Sequence, residues 1–355
     1  MKFQCYIQSS CAISPQHTFQ QDIFSEALQT TDTNMLQAWQ PSYAGLIPPN
    51  SLRRMSKALK MGLAAASQCL AEGGIANPGA IITGTGKGSL QDMEKFIKDI
   101  QTYHETALNP TQFIQSTFNA VNGLIALQQQ NTQYNNTFVH RGLSFESALL
   151  DALLQLSAGK HHVLLGGFDE VTPDQFQIKS HSGWWKQEKI HSAALLQHLS
   201  PGTIAGEGAV FFLLANQPGD HPAASIEGMK LLHKPSSHKL DTALQQFLDE
   251  HALQPGHIDL LMSGRNGDSN YQHFYDQVAQ ALPGIPEVSF KPLCGEYDTA
   301  HAFGLWLAAQ MIKAGKAPQQ WFPAGTVFPK AYRTVLLYNQ YYGEQHAFIL
   351  LKKAL

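Results

Sequence analysis

The sequence predicts a mixed α/β fold built from two halves of similar plan. Short apolar runs of strand length alternate along the chain with longer segments whose apolar residues recur at helical spacing. A segment rich in proline and glycine, residues 216–222, interrupts this alternation, which then restarts. Each half has a strand, a turn of small residues and an apolar helix near its centre. Together these features indicate an internal duplication.

The first half divides into strands and helices at the intervals typical of α/β proteins. Strands are expected at residues 3–7, 80–83, 162–170 and within 202–214, and helices at residues 53–72, 90–103 and 144–158. A glycine cluster at residues 84–89 follows the second strand, but it lacks the GxxxxGK[ST] spacing of a phosphate-binding loop. Residues 172–200 are polar and aromatic, and we expect them to form an excursion outside the core.

The second half repeats this alternation. Strands are expected at residues 224–228, 258–262, 288–291, 335–338 and 347–351, and helices at residues 239–251 and 271–282. A further long apolar helix is predicted through Phe303 and Met311. It follows a second segment of small residues.

Composition excludes several classes of function. Of the 355 residues, 43% are hydrophobic and 14% are charged, and the formal net charge of −3 argues against a nucleic-acid-binding protein. The low charge indicates a surface partly covered by another subunit. No run of about 18 apolar residues occurs, so no membrane span is expected. The first residues lack the apolar run of a signal peptide, and we expect a cytoplasmic protein.

Cysteine and histidine positions give no metal signature. The four cysteines are scattered and form no CxxC pair, which argues against a zinc site or a disulfide framework. Several histidines also lack ligand spacing, and we expect most of them to be surface or hydrogen-bonded core residues: His161, His162, His181, His191, His198 and His301.

Residues 110–127 carry the most informative pattern in the first half. We expect an extended run at residues 112–116, a turn at residues 117–122 and an apolar helix from residue 123. In that order the turn lies at a helix N-terminus, where free backbone N–H groups and the helix dipole activate a nucleophile or hold an oxyanion. The stretch contains no cysteine.

Five short motifs occur in an informative order. They are the opening strand and Ser-Pro turn at residues 5–15, a strand ending in Gly-Gly and running to Glu170, Gly-Glu-Gly-Ala at 206–209, Ser-Phe-Lys at 289–291 with a glycine at 295, and a closing loop and strand at 338–351. In this order they resemble the β-ketoacyl synthase family, and within it the ketosynthase-like chain-length factors, almost end to end. The resemblance implies a thiolase-like fold. Two pseudo-duplicated βαβαβαββ halves, residues 1–217 and 218–355, would form a five-layered α/β/α/β/α sandwich.

The resemblance also implies where catalytic groups would lie. The family uses one cysteine and two histidines, and the matching positions are Ala120 (Asn119 if the alignment slips by one), Ser263 and Glu296. Only the family's lysine is retained, as Lys291. Ala120 has no nucleophilic atom. Ser263 can donate one hydrogen bond but does not gain or lose a proton near neutral pH. An ionised Glu296 would oppose the stabilisation of an oxyanion, and we expect it to pair with Lys291.

A protein of this kind is implied to be the non-catalytic subunit of a type II β-ketoacyl-ACP synthase heterodimer. It would shape the acyl tunnel of an active β-ketoacyl synthase that elongates polyene, polyketide or fatty-acid-like chains, with substrates carried by an acyl carrier protein. The chain resembles most the proteins of aryl-polyene and flexirubin-type pathways. No cofactor or metal is implied. Residues 110–116 would face the partner, and the tunnel or interface candidates are Phe113, Gln115, Ser116, Thr117, Phe118 and Asn119.

Two other functions stay open at the level of sequence. One is an active condensing or decarboxylating enzyme with a rearranged site that uses Ser116, Thr117 or Cys294. The other is an acyl-binding scaffold without a synthase partner. Simpler interpretations also stand beside these: Cys294 as a small buried hydrophobe, Phe118 as a core residue in preference to a tunnel residue, and Gly123 as a helix-packing contact. The Trp184-Trp185 pair is either an interface anchor or local packing.

Overall fold

The computed structural model describes residues 5–220 and 222–354. Within them the strands are β1 Cys5–Ile13, β2 Ala80–Gly84, β3 Tyr134–Phe138, β4 His162–Asp169, β5 Gly208–Ala215, β6 Ala224–His233, β7 Leu260–Ser263, β8 Glu287–Ser289, β9 Thr334–Tyr341 and β10 Gln345–Lys352. The α-helices are α1 Pro49–Leu52, α2 Lys57–Gly73, α3 Leu90–Tyr103, α4 Pro110–Gln115, α5 Ala120–Gln129, α6 Ser144–Ser157, α7 Pro173–His181, α8 Ser237–Glu250, α9 Gln272–Gln280, α10 Lys291–Cys294 and α11 His301–Ala314. Short 3₁₀ helices lie at Arg141–Leu143, Ser192–Gln197, Pro255–His257 and Gln319–Trp321.

The strands form one sheet whose order repeats between the halves. The order is β3-β2-β4-β5-β1-β6-β10-β9-β7-β8. Read outward from the β1–β6 contact, the strands run 1, 5, 4, 2, 3 on one side and 6, 10, 9, 7, 8 on the other, so each strand has a counterpart five places later. β1 and β6 pair antiparallel over three residue pairs, from Cys5↔Ile226 to Ile7↔Ala224. The predicted duplication is confirmed. It supports our proposal that the boundary between the halves lies between residues 217 and 218.

The helices α6 and α11 occupy the central layer. Their side chains, including Phe145 and Phe303, share one apolar cluster with residues from both halves of the sheet. The outer helices α2 and α5 cover the opposite face of the first half, in a cluster that includes Phe211. α8 and α9 cover the second half around Phe348. The layers therefore run helix, sheet, helix, sheet, helix.

Both central helices are mainly apolar, and most of their residues are buried. Their main polar exceptions meet each other. The Nδ1 atom of His301, the first residue of α11, lies 2.7 Å from Oε1 of Glu146 in α6, and both side chains are fully buried. This contact links the two halves inside the core.

The predicted helices and strands with strong apolar periodicity are confirmed. The helices expected at residues 90–103 and 144–158 and the strands at 80–83 and 162–170 match the structure to within one residue. Residues 3 and 4 of the first predicted strand and residue 221 of the predicted boundary lie outside the described residues. The part of that first strand that is described continues to Ile13, because residues 9–13 pair with β5.

The extended run predicted at residues 112–116 is wrong. Residues from Pro110 form helix α4, with proline at its first turn and Asn109 as N-cap, whose side chain accepts a hydrogen bond from the Thr111 N–H at 3.0 Å. Strand β3 was not predicted, because its sequence Tyr-Asn-Asn-Thr-Phe is too polar to show a strand pattern. It pairs in parallel with β2 at the edge of the sheet.

The segment at residues 172–200 is also more structured than expected. It forms helix α7, and Trp185, Ile190 and Leu195 are buried in small apolar clusters. The prediction that this segment lies outside the core is therefore wrong for these side chains.

Two glycines provide a matched test of the packing. A Cβ at Gly206 would overlap the carbonyl oxygen of Cys294 and the Cα atom of Gly295, whereas a Cβ at Gly123 in α5 would meet no atom within 4 Å. We expect Gly206→Ala to lower the free energy of unfolding by about 2 kcal/mol or more, because backbone must move. Gly123→Ala should raise it by about 0.5–1 kcal/mol, because alanine favours the helix. Urea unfolding measures both; a loss of stability in Gly123→Ala would contradict the open packing of α5.

Candidate functional site

Three of the residues predicted from the sequence lie close together in the second half. Ser263 ends β7, and its hydroxyl lies 3.1 Å from that of Ser289 at the end of β8. Lys291 begins α10 directly after this strand, and Glu296 lies just beyond the end of that helix. The parallel pairing of β7 with β8 places these two strand ends side by side.

The predicted ion pair between Lys291 and Glu296 is confirmed. The Lys291 ammonium contacts Oε1 of Glu296, and the side chains are only 1% and 3% exposed. The other carboxylate oxygen accepts a hydrogen bond from Nδ2 of Asn266 at 2.8 Å. Both oxygens of Glu296 therefore have donors, and the buried carboxylate has no unpaired atom with which to bind a substrate.

Ala120 does not lie at the turn for which it was predicted. It begins α5 and packs in the outer apolar cluster with α2. The sequence of strand, sharp turn and buried helix occurs instead at β3, Arg141 and α6. Arg141 has a φ of 52°, a left-handed conformation that marks the sharp turn. The turn residue that leads into the central helix is Arg141, and the placement of this layout at residues 112–127 is wrong.

The closing loop after β9 packs directly on this turn. Nη1 of Arg141 lies 2.5 Å from Oε2 of Glu344, and its guanidinium lies 5.8 Å from the centre of the Tyr341 ring. A Cβ at Gly142 would overlap the Tyr341 ring, so glycine is required there by the close approach. A signal for this turn was present in the sequence, because the buried helix that follows it was predicted correctly.

Four aromatic side chains pack together at the loop that follows β9. We call Trp184, Tyr341, Tyr342 and Tyr271 the aromatic cover. The ring centres of Trp184 and Tyr342 are 4.1 Å apart, and those of Tyr341 and Tyr342 are 4.7 Å apart. The Lys179 ammonium lies 4.2 Å from the centre of the Trp184 ring. The contacts of Trp184 and Trp185 are thus packing contacts within this chain.

Little space remains in the small cavity beside Glu296. The cavity lined by Asp169, Glu296, Tyr297 and Asp298 has a volume of about 10 Å³, which is the room that one water molecule needs. Tyr341 donates a hydrogen bond to Oδ1 of Asp298 at 3.0 Å. An acyl thioester does not fit in this cavity.

The glycine cluster after β2 serves Asp169 and not a phosphate group. The backbone N–H groups of Gly86 and Lys87 donate to Oδ1 of Asp169 at 2.8 and 3.2 Å, and Thr299 donates to Oδ2 through its N–H and its hydroxyl. Burial, and secondarily the neighbouring Asp298 carboxylate, raises the pKa of Asp169 to about 6. Asp169 thus connects the loop at residues 84–89 in the first half to Thr299 in the second half.

The tunnel and interface candidates lie on the surface of the first half. Phe118 is 40% exposed, so its interpretation as a core residue is wrong, and Phe113 and Asn119 are also exposed. Ser116 and Thr117 donate their hydroxyls to the carbonyl oxygens of residues three positions earlier. Gln115 is half-buried at the end of α4. The interpretation of Gly123 as a packing contact is also wrong, because it is exposed.

Comparison with known proteins identifies the family. The sequence profile described as "Beta-ketoacyl synthase, N-terminal domain" matches residues 28–250, more than half of the chain. The chain belongs to the β-ketoacyl synthase family. No curated protein matches it in sequence.

Solved structures confirm the thiolase-like ketosynthase fold. The ishigamide ketosynthase/chain length factor and a β-ketoacyl synthase from Burkholderia phymatum STM815 each superpose with a TM-score of 0.79 at 15% identity, covering 100% of both chains. AntDE:AntF, a type II PKS acyl-carrier protein in complex with its ketosynthase bound to the hexaketide, superposes with a TM-score of 0.75 at 13% identity. That match covers 99% of this chain and 100% of the other. Among the described residues, no helix is long and apolar enough to cross a membrane.

For a member of this ketosynthase family, Cys294 is the nearest thiol to the site, but it is poorly suited to react. Its side chain is fully buried, and this burial raises the pKa of the thiol far above its ordinary value despite the nearby Lys291 ammonium. Since the thiolate is the nucleophile, a buried thiol with a raised pKa is inert. Cys294 therefore fits its interpretation as a small buried hydrophobe.

The buried ion pair allows a test of how the site is stabilised. We expect Lys291→Met to lower the free energy of unfolding by about 3 kcal/mol or more, because it leaves the Glu296 carboxylate buried without its cation. The double variant Lys291→Met, Glu296→Gln should recover most of that loss, because no buried charge remains. Urea unfolding of the wild type and the two variants measures the effect. Equal instability of the single and double variants would show that the charge of Glu296 is not the cause.

Proposed function

We propose that this chain is the non-catalytic, chain-length-factor-type subunit of a type II β-ketoacyl-ACP synthase heterodimer. The observation that carries the proposal is the closed site. Arg141 stands at the turn before the central helix, Glu296 is neutralised by Lys291, and the cavity beside Glu296 has room for about one water molecule. An arginine side chain has donors only and cannot attack a thioester. The chain keeps the fold of a synthase without the means to bind and condense an acyl chain.

The edge of the first half supports contact with a partner. Among the described strands, β3 pairs only with β2, which leaves its other edge without a neighbouring strand. Exposed apolar side chains occur on β3 and just after it, on α5 and α6, which contact β3, and on residues 113–118 before α5. We call them, with β3, the β3 face: Phe113, Ile114, Phe118, Leu127, Tyr134, Val139, Leu150 and Leu154. Ile114 is 63% exposed and Leu127 is 76% exposed. An unpaired edge strand beside exposed apolar side chains favours pairing with another chain.

We propose that the partner contact is broader than the segment expected from the sequence. The predicted segment at residues 110–116 contributes Phe113 and Ile114, but most of the surface comes from β3, α5 and α6. Tyr134 in β3 donates to Asp151 in α6 at 3.0 Å, which joins these elements into one face. We propose that an active ketosynthase of the same fold occupies this face, and that the residues at 116–119 and 135–139 line the wall of its acyl tunnel.

A basic groove near α4 supports the proposed contact with an acyl carrier protein. Arg53 and Arg54 are exposed, and neither forms an ion pair with any of the described residues. With Lys95 of α3 they line an open groove of about 490 Å³. Two unpaired guanidinium groups fit a phosphate or carboxylate partner, and a carrier protein presents its acyl chain on an arm that carries a phosphate. We further propose polyene or polyketide chains as the product class, from the resemblance to aryl-polyene and flexirubin-type proteins.

Co-expression with an active ketosynthase encoded beside this chain tests the subunit role. We expect a stable one-to-one complex that elongates carrier-bound chains and loses that activity when the partner's catalytic cysteine is changed. The double variant Val139→Asp, Leu154→Asp should prevent co-purification, because two buried carboxylates would lack partners at the interface. Ile178→Asp, which changes an exposed apolar residue on α7, should leave the complex intact.

Elongation by the isolated chain would contradict the proposal. It would instead favour an enzyme with a rearranged site, and the nucleophile would then be sought at Ser116, Thr117 or Cys294. Tight acyl binding without any synthase partner would favour the scaffold function.

The carrier-protein contact has a separate test. We expect Arg53→Glu, Arg54→Glu to raise the KM for the acyl carrier protein by about tenfold, which corresponds to the loss of about 1.4 kcal/mol of attraction. The one-to-one complex itself should remain. Arg333→Glu changes an exposed arginine elsewhere and should have no effect. Steady-state elongation assays at low and high salt measure the change, and an unchanged KM at low salt would rule out the groove.

A further inference from the structure

A cavity outside the site described above has the character of a small-molecule binding site. It has a volume of about 220 Å³ and lies between the loop at residues 28–30, the 3₁₀ helix Ser192–Gln197, β8 with α10, and residues 321–326. Its walls are mainly apolar, formed by Leu28, Leu196, Val288, Leu293, Trp321 and Phe322. It shares no lining residue with the small cavity beside Glu296.

The size of this cavity indicates what it can hold. In another protein an apolar cavity of about 150 Å³ binds benzene. A volume of about 220 Å³ therefore admits a benzene ring with a short substituent. Trp321 is fully buried and its indole N–H already donates to the carbonyl oxygen of Glu26 at 2.8 Å. The polar edge of this ring is therefore satisfied, and its apolar surface is available to a ligand.

The charge around the cavity decides between neutral and anionic ligands. The polar groups on its lining are hydroxyls and amides, with Glu287 as the charged residue. The carboxylate of Glu287 is held by Nε of Arg265 at 2.5 Å, and Arg265 also binds Asp276. The cation is thus shared between two carboxylates, and an anionic ligand would meet the negative charge of Glu287 without a free cation to pair with.

We infer that this cavity binds a neutral aromatic compound of about the size of a substituted benzene. Ring burial against Trp321, Phe322 and the aliphatic side chains supplies the affinity, and the hydroxyls of Thr30, Ser192 and Ser289 select a neutral polar substituent. Ser289 also contacts Ser263, so the ligand lies one side chain away from the closed site. The inference is independent of the heterodimer.

Fluorescence quenching tests this site with the purified chain. The probe is 4-bromobenzyl alcohol, whose bromine quenches a tryptophan in contact with it, and its anionic counterpart is 4-bromobenzoate. We expect the alcohol to quench Trp321 in a saturable manner and the benzoate to bind about tenfold more weakly or not at all, a difference of about 1.4 kcal/mol. The saturable component should disappear in Trp321→Phe, which identifies the responding indole.

Filling the cavity gives the decisive comparison. Ala193 is exposed and lines the mouth, so Ala193→Phe should block the cavity while the fold remains. Thr326→Phe fills it from the opposite side and serves if the first variant unfolds. Ala71→Phe, on an exposed position of α2, is the matched control and should bind as the wild type does. The inference is overturned if saturable quenching is absent in the wild type, persists in the filled variants, or is as strong with the benzoate.

Discussion

Burial of α6 and α11 between the two halves of the sheet is the constraint on which the rest of the structure depends. Most of each helix is buried, so the segments that lead into them must turn out of the strands β3 and β8 toward the core. The turn before α6 places Arg141, and the segment before α11 places Lys291 and Glu296. The contact between Glu146 and His301 joins the two helices where both are fully buried. The position of the site follows from the packing of the central layer.

Charge compensation explains why the closed site is compatible with a stable fold. Several carboxylates lie in this region, and isolated buried charges would be costly. Two of them have specific donors: Lys291 and Asn266 serve Glu296, and five donors from the loop after β2 and from Thr299 serve Asp169. The pair of Lys291 and Glu296 is almost completely buried. Groups that a synthase would hold ready for substrate are here bonded to one another.

The surface of the chain, in contrast, carries exposed apolar groups. The β3 face leaves an edge strand and several large apolar side chains in water, although the interior is well packed. Such a surface is unfavourable for an isolated protein and favourable for a permanent partner. The closed interior and the exposed edge are the two observations on which the proposed subunit role rests.

Strong apolar periodicity made much of this fold predictable. The helices at Leu90–Tyr103 and Ser144–Ser157 and the strand His162–Asp169 were expected nearly residue for residue, because their side chains are buried and the pattern of burial is written into the sequence. The pairing of Lys291 with Glu296 was also expected, because the family resemblance places both residues at the site and an ionised Glu296 there would need a cation.

The remaining features were decided by tertiary contacts. β3 is polar and is a strand because β2 lies beside it. The helix at residues 110–115 is an exception, because Asn109 and Pro110 begin it locally. Arg141 takes its left-handed conformation because α6 must enter the core directly behind it. The sequence by itself determined which segments are buried and that no cysteine stands at the expected turn. Only the tertiary structure decided where that turn is, because its position depends on which helix fills the space between the two halves.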